Sequence, residues 1–207
     1  MKPKLNLILL VLPAVILTCA CSGGKVLYED DFSDPSSGWD QYSGSNATND
    51  YHEGSYQIKV QETYFDQWAL AHRDFENIVI TVDATKISGS DDNNFGLLCN
   101  YQDMQHFYML LISSDGNYII QKMSPDGLIR LSSDWFEPSE AINKGVSTNH
   151  LKAECGGGSL ALYANDDLVG QVDDADYTSG DIGFLVGTYG EGDVQVSFDD
   201  LVVTELD

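Results

Sequence analysis

Apolar and polar residues alternate with a period of two through much of this chain. Ile78, Ile80, Val82 and Ala84 interleave with Val79, Thr81 and Asp83, while Leu151, Ala153 and Cys155 interleave with His150, Lys152 and Glu154. Leu160, Leu162 and Ala164, then Ile182, Phe184 and Val186, then Val194, Val196 and Phe198 repeat the arrangement. Successive side chains of an extended backbone point to opposite faces, so each run predicts a strand. Turn signals punctuate the runs at intervals of about eight to twelve residues. They are Ser114-Asp115-Gly116, Ser124-Pro125-Asp126-Gly127, Gly156-Gly157-Gly158, Asn165-Asp166-Asp167 and Tyr189-Gly190-Glu191-Gly192. Asp-Gly is a strong hairpin signal; Asn165-Asp166 is weaker, because Asp accepts positive φ less readily than Gly. Only Ser139–Lys144 has helical character, for one turn at most. Many short strands with almost no helix predict an all-β fold, an antiparallel sandwich or barrel.

One run departs from simple alternation. Phe107-Tyr108-Met109-Leu110-Leu111-Ile112 is apolar on both faces. A strand with one solvated face does not read this way, so either a loop covers the second face or that face forms a ligand groove.

The first residues are of another kind. Met1–Lys4 is basic, Leu5–Leu17 is apolar, and Thr18-Cys19-Ala20-Cys21 follows. The apolar run is about thirteen residues, short of the roughly 20 that span a bilayer, and its flanks are those of a secretory signal. The exit resembles the lipobox of bacterial lipoproteins, with Ala20 before Cys21 and Thr18 where that pattern prefers Leu. The resemblance implies removal of residues 1–20, diacylglycerol on the Cys21 sulfur, a flexible tether over residues 21–25, and anchoring outside the cytoplasm at a bacterial cell membrane or outer membrane. Two acyl chains suffice for stable anchoring where one is marginal. Residues 26–207 then form one domain, uninterrupted by repeat or linker. A domain of this size buries about 70% of its unfolded surface.

Export changes the reading of the two remaining cysteines. In an oxidising compartment Cys99 and Cys155 are expected to pair. Both sit in alternating apolar segments, and the bridge closes a loop of about 57 residues, worth roughly 4 kcal/mol on the chain-entropy account. No Cys-x-x-Cys is present, which removes zinc ribbons and thioredoxin chemistry.

The charge narrows the partners. The chain has 33 Asp and Glu against 10 Lys and Arg, a formal charge of −23, and every acid lies beyond Cys21. Such a body repels phosphate backbones, which excludes nucleic acid, and it disfavours acidic polysaccharides and anionic membrane surfaces. Eleven Tyr, eight Phe and three Trp are too many for a disordered acidic tail.

The order of motifs also carries a resemblance. Asp30-Asp31-Phe32 and Ser33–Trp39 are followed by Gly54-Ser55-Tyr56, Trp68, Asn94–Asp103, Phe107-Tyr108, Ser114–Tyr118, Asn149–Cys155, Gly180–Gly183 and Phe198-Asp199-Asp200. That succession resembles the concanavalin A-like lectin and glucanase jelly rolls, in particular laminin-G-like domains of bacterial surface lipoproteins. It implies two curved antiparallel sheets with the first and last strands adjacent. Asn100 stands where such domains often carry Arg. Glucanases of this superfamily carry Glu-x-Asp-x-x-Glu on one strand, and no such spacing occurs here. Gly157-Gly158-Ser159-Leu160-Ala161 lacks the final Gly and the following helix of a nucleophile elbow. The four His show no metallohydrolase spacing, though distant loops could still assemble an acid pair such as Asp66 with Glu137.

A structural Ca²⁺ is the one candidate cofactor, since hard cations take several carboxylate and carbonyl oxygens. With the terminal strands side by side, Asp30 or Asp31 would approach Asp199 or Asp200, and members of the superfamily often bind calcium near there. The loop Asp91-Asp92-Asn93-Asn94 is a second cation candidate. The leading functional expectation is a non-catalytic carbohydrate-binding domain, with Trp39, Tyr42, Tyr64, Trp68 and Trp135 for stacking and Arg73 and Gln102 for polar contacts. The alternatives are a protein-interaction module whose acidic face seeks a basic partner, and a glycoside hydrolase of unrecognised type.

Overall fold

The computed structural model describes residues 24–206, so the signal segment and Cys21 lie outside the described residues. The first strands are β1 (Val26–Asp30), β2 (Tyr42–Ser43), β3 (Ala47–His52), β4 (Ser55–Val60), β5 (Asp66–Glu76), β6 (Ile78–Ser88), β7 (Asn93–Asp103) and β8 (His106–Ile112). There follow β9 (Asn117–Ser124), β10 (Gly127–Arg130), β11 (Glu137–Pro138), β12 (Thr148–Gly156), β13 (Ser159–Ala164), β14 (Asp167–Asp173), β15 (Ser179–Thr188) and β16 (Val194–Glu205). They form two antiparallel sheets. The larger has the order β14-β13-β12-β6-β16-β4-β3-β2, and the smaller β10-β9-β8-β7-β15-β5 with β11 also on β9. This is the jelly-roll sandwich that the sequence predicts. Among the described residues no helix is long and apolar enough to cross a membrane.

β1 lies on the same edge of β16 as β4. Val194–Phe198 pair with β4 and Leu201–Thr204 with β1, so the first and last strands are adjacent. A bulge at Asp199–Val202 separates the two stretches, with Asp200 at φ 52°. The Asn165-Asp166 turn holds both residues at positive φ, 52° and 73°, so this weak signal does make a tight hairpin. Over Ser139–Lys144 the chain makes only a turn, with the Ile142 N–H 3.4 Å from the Ser139 carbonyl.

The core sits between the sheets. β6 buries Ile78, Ile80, Val82 and Ala84 against Phe95, Leu97, Tyr108, Leu110 and Ile112 of the facing sheet. Phe184 stacks between Trp39 and Phe198, with ring centroids 4.4 and 4.2 Å away. Cys99 and Cys155 form a disulfide from β7 to β12 that ties one sheet to the other, with Cα atoms 6.6 Å apart. β8 accounts for its two apolar faces. Tyr108, Leu110 and Ile112 enter the core, while Phe107, Met109 and Leu111 join Leu98, Ile119 and Leu185 in a second cluster on the outer face of the smaller sheet. Trp68, Leu70, Tyr101, Met123 and Phe136 pack over that cluster.

The sandwich has two distinct ends. At one, β1 begins opposite Thr204, the Glu205 N–H donates to the Lys25 carbonyl, and Ile78 meets Glu205. At the other, β6 ends at Ser88 opposite Gln195, and the turns before β7, β9 and β16 gather with the start of β5.

Candidate functional site

Four aromatic residues meet at that second end. The β5–β15 register sets Asp66 opposite Gly187, which brings Tyr64 and Tyr189 together, and the Tyr64 N–H donates to the Tyr189 carbonyl at 2.9 Å. Tyr64 is held at φ 54°, a region that bulky residues rarely adopt, and is 78% exposed. Trp135 and Phe136 come from the segment between β10 and β11. Its start is pinned by the Leu131 and Ser132 N–H groups on the Ile120 carbonyl, at 2.9 and 3.2 Å, and its end by β11 on β9. Phe136 meets Tyr189 edge-on at 6.4 Å and Trp135 at 6.5 Å. The Arg130 guanidinium lies 4.8 Å from the centre of the Trp135 ring, which is 61% exposed as a residue.

Two adjoining hollows share these four aromatic residues. The larger, about 430 Å³, adds Asp92, Asn93, Ser113, Asp115 and Asn117; the smaller, about 220 Å³, adds Asp66, Asn94, Gln121, Leu128 and Arg130. Gly187 makes the floor of the smaller one possible. A Cβ there would stand 2.0 Å from Asp66 Oδ1 and 2.6 Å from Asn94 Nδ2, so only glycine lets the two side chains lie across β15. Asn94 is 5% exposed; its Nδ2 donates to the Tyr189 hydroxyl at 3.2 Å, and its Oδ1 accepts no hydrogen bond. Asp66 is exposed as a residue, but its carboxyl end is enclosed. Burial raises the carboxyl above its usual value against an opposing hydrogen bond from Asn94.

The neighbouring loops are internally braced. Buried Lys86 pairs with Asp91, and Asn93 exchanges hydrogen bonds with Ser114, giving 2.9 Å from Nδ2 and accepting at 3.1 Å from the Ser114 N–H. Asp115 accepts from Asn117 at 2.7 Å and from the Ser113 hydroxyl. In the loop Asp91-Asp92-Asn93-Asn94, one acid is therefore neutralised, both amides are buried, and Asp92 alone offers a free carboxylate to the larger hollow.

The other sequence candidates are dispersed. Trp39 is 4% exposed and belongs to the core. Trp68 lies on the outer face of the smaller sheet, 6.3 Å from Phe107, rather than lining either hollow. Tyr42 sits on the far edge strand of the larger sheet, Arg73 stacks over Tyr28 at 4.4 Å, and Gln102 donates to the Ser179 carbonyl at 3.1 Å. Tyr64 and Trp135 are thus the two that the fold brings together. Sequence reasoning missed Arg130, Phe136 and Tyr189 and offered Asn94 only as part of a cation loop; the adjacent aromatic pair Trp135-Phe136 inside a polar loop was the available signal. Glu137 accepts from the Tyr118 hydroxyl at 3.0 Å and lines neither hollow.

The acids expected to hold calcium are engaged with the chain itself. Asp30 accepts from the Phe32 N–H at 2.8 Å, the Tyr28 hydroxyl at 2.7 Å and the Ser37 hydroxyl at 2.6 Å. Asp31 accepts from Ser33, and Asp199 from the Asp200 N–H at 2.8 Å. Asp30, Asp31 and Asp200 border a hollow of about 440 Å³, and among the described residues no three acidic, His or Cys side chains converge as a metal site.

Comparison with solved structures defines the class of fold. The chain is similar to the carbohydrate binding module CBM66 from Bacillus subtilis, with a TM-score of 0.64 at 18% identity over 81% of this chain and 96% of that one. It is similar to a protein of unknown function with a galectin-like fold from Bacillus subtilis, TM-score 0.67 at 13% identity, covering 88% and 96% of the two chains. It also resembles the β-glucanase of Bacillus licheniformis, TM-score 0.61 at 11% identity, over 89% and 99%. No protein-family profile and no curated sequence matches the chain. The fold is therefore the two-sheet antiparallel jelly-roll sandwich that these neighbours share.

Proposed function

We propose that this chain is a non-catalytic glycan-binding domain, held outside the cytoplasm by lipid on Cys21, that receives a sugar chain in the hollows beside Tyr64 and Trp135. The carrying observation is the pairing of exposed aromatic residues with carboxylates and amides around one concavity. Sugars present apolar ring faces to aromatics and hydroxyls to acceptors, which is the composition of this lining. Neighbours that bind or process carbohydrate support the reading at the level of fold. Hydrolysis is less well supported. It needs two carboxyl groups flanking one bond, separated by about 5–10 Å. Of the two acids the sequence offers as a pair, Asp66 lines the smaller hollow, whereas Glu137 accepts from Tyr118 and lines neither.

Affinity electrophoresis against a panel of neutral and amino polysaccharides tests the site. Tyr64→Ala and Trp135→Ala should each weaken retardation at least tenfold with the melting temperature nearly unchanged; unaltered retardation in both would remove the site. Anchoring has its own test. Cys21→Ser should release the protein from membranes, and a membrane-bound Ser variant would contradict lipid attachment.

A further inference from the structure

We propose that the hollows prefer a glycan bearing free amino groups, a de-N-acetylated hexosamine chain, over neutral and acetylated chains of equal length. This rests on the glycan-binding reading and names the chemistry of its ligand. The lining carries three carboxylates against one cation. Asp66, Asp92 and Asp115 all border the hollows, and among the described residues none of them pairs with Lys, Arg or His. Arg130 is the one cation in the lining, and its guanidinium is stacked on Trp135.

A second feature points the same way. Asn94 lines the smaller hollow, is almost wholly buried, and leaves Oδ1 without a donor. Buried acceptors in folded proteins are nearly always filled, and one left open beside a cavity calls for a donor from a ligand or water. An ammonium group supplies three donors and a charge. The faces of Tyr64 and Trp135 attract a cation through the ring quadrupole, and the carboxylates accept charge-assisted hydrogen bonds. Asp66 fits this role, since burial raises its carboxyl and a cation beside it would act in the opposite direction, favouring the charged form. A neutral hydroxyl can donate to the same acceptors, but it brings no positive charge to offset the three carboxylates. The formal charge of −23 turns uronic and sulfated chains away.

The test is calorimetric titration of the full chain, held in non-ionic detergent, with the tetrasaccharides of glucosamine, N-acetylglucosamine and glucose at pH 6. The glucosamine chain should bind at least tenfold tighter than the other two in 50 mM salt, with the margin shrinking in 500 mM salt. Trp135→Ala, and separately the pair Asp92→Asn with Asp115→Asn, should abolish that margin. Equal or tighter binding of the acetylated or neutral chain would overturn the amine preference and leave the glycan-binding reading standing. Absence of binding by all three would overturn both. A preference that survives both variants would place cation binding elsewhere on the acidic surface and overturn the assignment to these hollows.

Discussion

The molecule uses aromatic residues in two ways, and the contrast between the regions separates architecture from recognition. Inside the sandwich, Phe32, Trp39, Tyr56, Phe184 and Phe198 close on one another and keep almost no contact with water. At the rim of the smaller sheet, Tyr64, Trp135, Phe136 and Tyr189 touch only at their edges or across a backbone bond, leaving ring surface open. Acidic groups divide in the same manner. Asp174 and Asp176 both reach buried Lys122 at 2.5 Å, and Asp174 also accepts from the Tyr108 hydroxyl. Asp66, Asp92 and Asp115 bring no basic side chain with them. Groups satisfied within the fold hold it together; groups left with an unfilled face or lone pair are those with something to offer a ligand.

The largest expected effect lies on the satisfied side. Phe184→Ala should cost about 4 kcal/mol in urea unfolding, because it removes a ring stacked on both sides. A loss below about 1 kcal/mol would erase the distinction from Trp135→Ala, for which a change within about 0.5 kcal/mol is expected at an exposed site. Lys122→Ala comes next, at about 3 kcal/mol, because it strands the little-exposed Asp174 carboxylate without its cation.

The Lys122 cluster also predicts a pH dependence. For Asp174, burial favours the neutral acid, but hydrogen bonds from Lys122 and Tyr108 outweigh it and hold the carboxyl below its ordinary value. Its contribution is therefore present above the unfolded value of about 4 and is lost as pH falls through the lower folded value. For Lys122, burial opposes the charge, yet the bonds to Asp174 and Asp176 raise it, so this contribution is lost at alkaline pH above the ordinary lysine value. Thermal unfolding between pH 2 and 7 should show a steeper acid decline for the natural chain than for Lys122→Ala; identical slopes would detach the network from stability.

Much of the architecture was legible because alternation is a direct record of burial. β6, β12, β13 and β16 were readable from their inward Ile, Val, Leu and Phe, and β8 from its two apolar faces. β3 and β5 were not. Ala47–His52 is largely polar because the strand lies near the edge of its sheet, and β5 crosses a bulge where His72 takes φ 56°, which breaks the period. The site was legible only in fragments. Tyr64 and Trp135 stood out as aromatics in loops, but their meeting depends on the pairing of Asp66 with Gly187 and on a connection folding back across β9, neither of which local spacing encodes. Trp39 carried the same loop signal and went into the core, since an aromatic in a turn-rich segment can face either way until its neighbours are known.

The adjacency of β1 and β16 has one more consequence. The chain enters the domain at the edge where β16 finishes, whereas the hollows open where β16 starts, and a strand of 12 residues separates the two. At about 3.3 Å per residue that strand is roughly 40 Å long. If the chain is anchored at Cys21 as proposed, this strand acts as a rigid spacer that holds the mouth clear of the surface to which the amino terminus is fixed.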